Sequence, residues 1–202
     1  GPLGAEQVPL LSAVGRALAH DFAAPWDFPA WDNSAMDGYA VRAEDVKAPA
    51  SLHLSAYIPA GSPGAGPLEP GTAAKILTGA PLPAGADAVV PLENAQERDG
   101  AVAIPAPVRP GAHVRRRGED LRAGERILAA GTVLGAPEVS LLASCSRLAV
   151  PVIRRPRVAI LSTGDELVPP GEPLGPGRIH DSNGLALAAA VGQLGAEPAL
   201  LG

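Results

Sequence analysis

The sequence predicts a mixed architecture in which a β-rich barrel or sandwich precedes the opening of a parallel α/β sheet. Three observations carry this expectation. Glycine (24) and proline (23) are abundant and spread along all 202 residues, which favours many short strands joined by tight turns. Between residues 51 and 104, short apolar runs recur between Gly and Pro. After Arg154-Arg155-Pro156 the pattern changes to a continuous apolar run, a polar loop and a capped helical segment.

Residues 10–19 carry Leu11, Val14 and Leu18 at i, i+3, i+7, which predicts a helix ending near His20-Asp21. Pro25 and Pro29 then hold the chain extended. Residues 51–58 alternate loosely, 73–77 and 88–92 are apolar runs, and 101–104 follow Asp99-Gly100, a favoured hairpin pair. A strand at 126–128, a turn at Gly131, a helix opening at Pro137 and a strand at 148–153 come next. Residues 158–161 read as a strand buried on both faces. Ser182 or Asn183 is placed to cap a helix carrying Leu187, Val191 and Leu194 and stopped by Gly195, with another strand beginning at 199. Two parallel strands and one helix cannot cover both faces of a sheet, so this unit is expected to be truncated or completed by a partner.

A net charge of -5 supplies no basic field for nucleic acid or an anionic membrane. No apolar run approaches the roughly 18 residues of a membrane span, and no signal peptide is visible. The single Cys145 excludes an internal disulfide and a thiolate metal cage. These features together point to a cytoplasmic protein. Gly1-Pro2-Leu3-Gly4 reads as the remnant of a cleaved tag, although Leu3-Gly4 also suits a native start.

The chemistry concentrates in three acidic stretches. Asp32-Asn33-Ser34-Ala35-Met36-Asp37-Gly38-Tyr39-Ala40 has no helical or strand period; taken alone, an exposed Asx turn accounts for it. Gly118-Glu119-Asp120 and Gly164-Asp165-Glu166 are the other two. If they converge, their oxygens suit a hard cation such as Mg2+. Thr163-Gly164-Asp165-Glu166 follows the predicted parallel strand, and ligands of open α/β sheets bind at strand carboxyl ends. Arg115-Arg116-Arg117 suits phosphate or another oxyanion, or serves as a balanced surface turn. Thr78 places a hydroxyl between a strand and a Gly-Pro turn. His20, His53, His113 and His180 are too scattered for a zinc site, and no Walker A, GxGxxG or Ser-His-Asp pattern is present. Trp26 and Trp31 flank Pro29, with packing on the barrel as the default and an interface anchor second.

Five segments in order resemble the molybdopterin molybdotransferase (MoeA) family, whose eukaryotic relative is the gephyrin E domain. They are DNSAMDGYAVR (32–42), TGAPLPAGADAVV (78–90), RRRGED (115–120), PVIRRPRVAILSTGDEL (151–167) and IHDSN (179–183). The resemblance runs from about Glu6 to the end of the sequence. It implies a multidomain fold: a β-rich barrel-like domain at 24–124, an elongated α+β linker domain at 5–23 and 125–154, and the start of a parallel, molybdopterin-binding-like α/β domain at 155–202. Trp31 stands where the family usually has Phe, and Ser146 where it commonly has Gly. The family's later glycine-serine-rich substrate loop, lysines and C-terminal β domain have no counterpart before Gly202.

The resemblance implies insertion of molybdate into adenylylated molybdopterin with release of AMP, by a homodimer whose cleft is composite. Asp37, Asp165 and Glu166 would place Mg2+; Asp37, Asp120 and Glu166 would be catalytic, with Asp120 orienting arginines or metal. Arg115, Arg116, Thr78 and Ser182 would bind the substrate. Two alternatives belong to other classes. One is a non-catalytic dimerisation or scaffold module of the gephyrin type. The other is an α/β nucleotide hydrolase sharing only the Ser162 to Glu166 region.

Overall fold

The computed structural model describes residues 3–201. Gly1-Pro2, read as part of a tag remnant, and Gly202 lie outside the described residues. Two compact units emerge: Ala23–Ile127, and the chain up to Phe22 together with the chain from Leu128 onward.

The Ala23–Ile127 unit is β-rich and built on one six-stranded sheet. Its strands run in the order Ala88–Pro91, Gly38–Val41, Thr72–Ile76, Ala50–Ile58, Ala101–Ile104, Gln96–Arg98. Neighbours are antiparallel except Ala50–Ile58 and Thr72–Ile76, which pair in parallel with an irregularity between Leu54 and Ala56. The Asp99-Gly100 turn adopts positive φ at both residues, 51° and 76°, matching the right-handed twist of the strands that it joins.

Both faces of this sheet are covered, which is why its strands read as apolar runs. Tyr39, Val41, Ala73, Ala88 and Val90 enter one core cluster; Ala40, Ala74, Ile76 and Val89 enter the other. Strand periodicity sends successive side chains to opposite faces, so the DGYAV sequence feeds both cores at once. At Gly38 the packing is closest. A Cβ there would lie 2.1 Å from the Val90 carbonyl oxygen.

The second unit departs from the sequence reading at its start. Residues 10–19 do not form the expected helix; one 3-10 turn covers Leu10–Ala13, and Gly15 reverses the chain at φ 76°. The backbone amides of Leu10, Gly15 and Leu18 donate to the carbonyls of Leu148, Leu134 and Thr132. Tertiary partners thus replace the i–4 carbonyls of a helix. Leu10, Ala13 and Leu18 are buried, whereas Leu11 and Val14 of the expected stripe are 81% and 52% exposed. Ala5–Pro9, unrecognised in the sequence, pairs antiparallel with Ala149–Ile153. The helix Ala136–Ser144 opens with Pro137 in its first turn, and the Glu138 carboxylate accepts from the Gly135 amide at 2.8 Å. Ser146 follows it at φ 59°, in the region that favours glycine.

Arg157–Ile160 and Glu197–Leu200 form a parallel pair, joined through the helix Ser182–Gln193. The expected burial on both faces is not found. Ile160 is buried, but Leu161, Leu187 and Leu194 are 65%, 56% and 87% exposed. One helix shields only one face of so small a sheet. The helix cap also differs: Asp181, rather than Ser182 or Asn183, accepts the Gly184 amide at 2.9 Å. Among the described residues no helix is long and apolar enough to cross a membrane.

Candidate functional site

The acidic run is held from three sides. Asn33–Ser34 forms a short strand that pairs antiparallel with Val114–Arg115, and the Ser34 amide and carbonyl bond Ala80 and Gly79. Ser34 Oγ donates to the Met36 carbonyl at 2.5 Å and accepts the Met36 amide at 3.3 Å, closing the turn that delivers Asp37. Asp37 is exposed at the start of the Gly38–Val41 strand.

There its Oδ1 accepts two hydrogen bonds from one residue, the Thr78 amide at 2.8 Å and the Thr78 hydroxyl at 2.7 Å. The other carboxylate oxygen has no hydrogen-bond partner among the described residues. The amide, then the hydroxyl, hold the carboxyl below its usual range, so Asp37 is ionised at neutral pH.

The three arginines are each engaged by carboxylates. Arg115 contacts Glu119 at 3.4 Å and makes a short contact with Asp120 that raises its own pKa. Arg116 Nη1 donates to Asp32 at 2.6 Å, and the Arg117 amide donates to the other Asp32 oxygen at 2.8 Å. Arg117 Nε reaches Asp27 at 2.6 Å, and the Ala123 amide donates to Asp27 at 2.8 Å. Backbone amides first, then arginines, lower the pKa of Asp32 and Asp27. Four carboxylates (Asp27, Asp32, Glu119, Asp120) face these three guanidiniums and Arg122, whose charge also reaches Asp27, so Asp37 leaves one negative charge in excess.

A pH prediction follows from these depressed values. A carboxylate more acidic in the folded than in the unfolded state stabilises the fold above its unfolded pKa and loses that contribution as pH falls through the folded one. Asp27, Asp32 and Asp37 all shift this way. Their contribution should stay constant from neutral pH down to about 5 and fall below about 4. Thermal unfolding followed by circular dichroism across that range checks it; a contribution lost between pH 7 and 5 would contradict the clamps.

Asp165, Glu166 and Ser182 belong to the other unit. Residues 161–166 follow the parallel strand Arg157–Ile160 directly. The Arg178 guanidinium donates to the Asp165 carbonyl, and a Cβ at Gly164 would lie 2.7 Å from a Glu166 carboxylate oxygen. Ser182 is the first residue of its helix. Beside it, the Ser162 hydroxyl and the Gly184 amide lower the pKa of Asp181. A cleft of about 310 Å3, lined by Ser162, Gly164, Val168, Asp181, Leu185 and Leu200, lies here. Among the described residues no three His, Cys, Asp or Glu side chains gather into a metal cage. His180 Nδ1 lies 3.3 Å from the Pro169 carbonyl.

Three features escaped the sequence reading. Asp181 lies within the IHDSN segment, where sequence reading assigns it no role of its own and expects the helix cap at Ser182 or Asn183. Asp27 gave no motif signal, because its partners Arg117 and Ala123 lie 90 and 96 residues away. Asn33 is buried with Oδ1 unpartnered, although the burial of a motif amide is not visible in the sequence. A separate cavity of about 620 Å3, lined by Val90, Glu93, Gln96, Ile104, Val108 and Arg109, contains none of the expected site residues.

The sequence profile of the MoeA N-terminal region (domain I and II) matches residues 2–146, well over half of the chain. The chain belongs to the MoeA family. It is 50% identical over 202 residues to the molybdopterin molybdenumtransferase of Nostoc sp., covering 98% of this chain and 46% of that protein. A Mycobacterium tuberculosis molybdopterin molybdenumtransferase 2 is 46% identical over 194 residues, covering 94% and 48%. The crystal structure of a molybdopterin biosynthesis MoeA protein from Pyrococcus horikosii superposes with a TM-score of 0.88 at 41% identity, covering 98% of this chain and 52% of that one. This MoeA chain spans about half the length of the relatives that it matches.

Proposed function

We propose that this chain carries the Asp37 wall of a molybdenum-insertion site, in which molybdate is joined to the dithiolene of adenylylated molybdopterin and AMP is released. The observation that carries the reading is the doubly clamped, ionised Asp37 carboxylate, lying in a MoeA-family motif with one oxygen unspent. Relatives named molybdopterin molybdenumtransferase support the substrate class.

The charge pattern fits a divalent cation. A site with excess carboxylates repels a phosphoanhydride unless a cation intervenes, and carboxylate oxygens are the ligands that Mg2+ prefers. Asp37, with Asp165 and Glu166, would hold it. Bound there, Mg2+ would supply positive charge to the phosphate that leaves with AMP. Thr78 donates both its amide and its hydroxyl to Asp37 and so keeps that carboxylate oriented. Asp120 fixes Arg115, and Arg115 and Arg116 keep further N–H groups for an oxyanion. Ser182 sits at the positive end of its helix, where an anionic group is favoured. Only contacts that strengthen as charge develops on the leaving phosphate accelerate the step.

The family reading also makes the whole protein a cytoplasmic homodimer whose cleft joins the β-rich domain of one subunit to the α/β domain of the other. The boundaries at 24–124, at 5–23 with 125–154, and at 155–202 belong to that same reading.

In the full-length protein, Asp37→Ala and Glu166→Ala should each abolish molybdate-dependent AMP release while leaving the fold intact by circular dichroism. Mixing the two inactive variants tests the composite cleft. Random heterodimers would restore one intact site each, or up to about a quarter of wild-type activity. Full turnover in both single variants would remove the site assignment; no AMP release by the unmutated protein, with partner binding that survives both substitutions, would favour a scaffold module; no recovery on mixing would remove the shared cleft.

A further inference from the structure

Of the six Phe, Trp and Tyr rings in the chain, three (Trp26, Trp31 and Tyr57) are exposed. Trp26, 39% exposed, packs tilted at 32° against Phe28 with centroids 5.9 Å apart, whereas Trp31 is 54% exposed and makes no ring contact among the described residues. Tyr57 is also exposed, at 59%, but it carries a polar hydroxyl at its outer end. An indole face has no such compensation.

The position of Trp31 is defined rather than loose. Its carbonyl accepts the buried Asn33 amide at 3.4 Å. The next residue, Asp32, engages Arg116 and Arg117 on its side chain and the Leu82 amide on its carbonyl. Asn33–Ser34 then leads to the Asp37 turn, a rise of about 7 Å for two strand residues. An exposed apolar ring therefore lies six residues before an ionised carboxylate, with the short strand Asn33–Ser34 between them. The guanidiniums of Arg116 and Arg117, held by Asp32 and Asp27, are 52% and 66% exposed and retain unused N–H groups. Indole faces stack any planar heteroaromatic ring, and guanidinium N–H groups suit phosphate oxygens.

We propose that Trp31 is the stacking platform for the planar heteroaromatic ring of a phosphate-bearing ligand, and so a specificity-determining residue of this site. The inference rests on the insertion reading above, whose substrate carries two such rings, a pterin and an adenine. Stacking is sequence-tolerant chemistry, so either ring fits and the experiment separates them.

In a Trp26→Phe background Trp31 is the sole tryptophan and reports directly. The chain is titrated with AMP, with a free pterin and with ribose 5-phosphate, each with Mg2+, following tryptophan emission and confirming affinity by calorimetry. Quenching by AMP or by the pterin, but not by the ringless ribose phosphate, is the expected result; which of the two quenches identifies the ring. Trp31→Ala should weaken binding of that ligand about fivefold to 100-fold, and Trp31→Phe should retain most of it. Equal affinity in Trp31→Ala, quenching by ribose phosphate alone, or no quenching by either ring overturns the inference. So does a Trp31→Ala variant whose only change is its sedimentation coefficient, which would assign the ring to contact between copies. The two readings fail separately in the full-length protein. AMP release lost in Asp37→Ala but unchanged in Trp31→Ala removes the platform and leaves the Asp37 assignment standing; Trp31-dependent quenching with release indifferent to Asp37→Ala keeps the platform and removes that assignment.

Discussion

Replacing Gly38 with alanine should destabilise the β-rich unit by about 3 kcal/mol or more, which lowers its unfolding midpoint by roughly 10 °C. The added Cβ would fall 2.1 Å from the Val90 carbonyl oxygen and 2.9 Å from its carbon, both backbone atoms that no rotamer change can move. Gly38 lies opposite Pro91 and Ile76 in the sheet, and Val90 pairs with Tyr39. Relief requires Gly38–Val41 and Ala88–Pro91 to separate, and both strands are buried along their length. Gly192→Ala is the control. It lies inside the helix Ser182–Gln193 with open space at its Cβ position, and alanine there should stabilise that helix by up to about 1 kcal/mol. Chemical denaturation of the two variants checks the pair. Similar small effects at both sites would show that the sheet yields at Gly38.

Where the sequence was legible, local chemistry decided the structure. Asp99-Gly100 specifies its hairpin through two residues that tolerate positive φ, and the short apolar runs mark strands that a two-faced core buries. The motif residues Asp37, Thr78 and Arg115 to Asp120 were visible as suitable chemistry, but their pairing depends on the sheet that brings residues 37 and 78 together. Where reading failed, tertiary partners had overridden local preference. Leu11, Val14 and Leu18 have helical spacing, yet the backbone of that segment finds better acceptors in residues 132, 134 and 148. No pattern within ten residues encodes that choice. Asp181 was missed because Ser182 and Asn183 are equally good caps on propensity, and the Ser162 hydroxyl that favours Asp181 arrives from the preceding strand end.

Asp37→Asn in the full-length protein should lower kcat for AMP release about 100-fold or more while leaving the turn in place. The substitution keeps an acceptor for the Thr78 amide and removes the charge, so it separates geometry from electrostatics. Thr78→Val has a different logic. It removes the hydroxyl bond to Asp37 and leaves the amide bond intact, and loss of one orienting partner typically costs about 10- to 100-fold. Combining the two variants decides what Thr78 does. If Thr78 acts only by aiming the Asp37 carboxylate, the double variant will be no slower than Asp37→Asn, because the group being aimed has already lost its charge. If the hydroxyl also contacts substrate, the two losses will multiply, and KM will rise in Thr78→Val but not in Thr78→Ser. The present geometry spends the donor capacity of that hydroxyl on Asp37 Oδ1 at 2.7 Å. The first outcome is therefore expected, with near-complete recovery in Thr78→Ser.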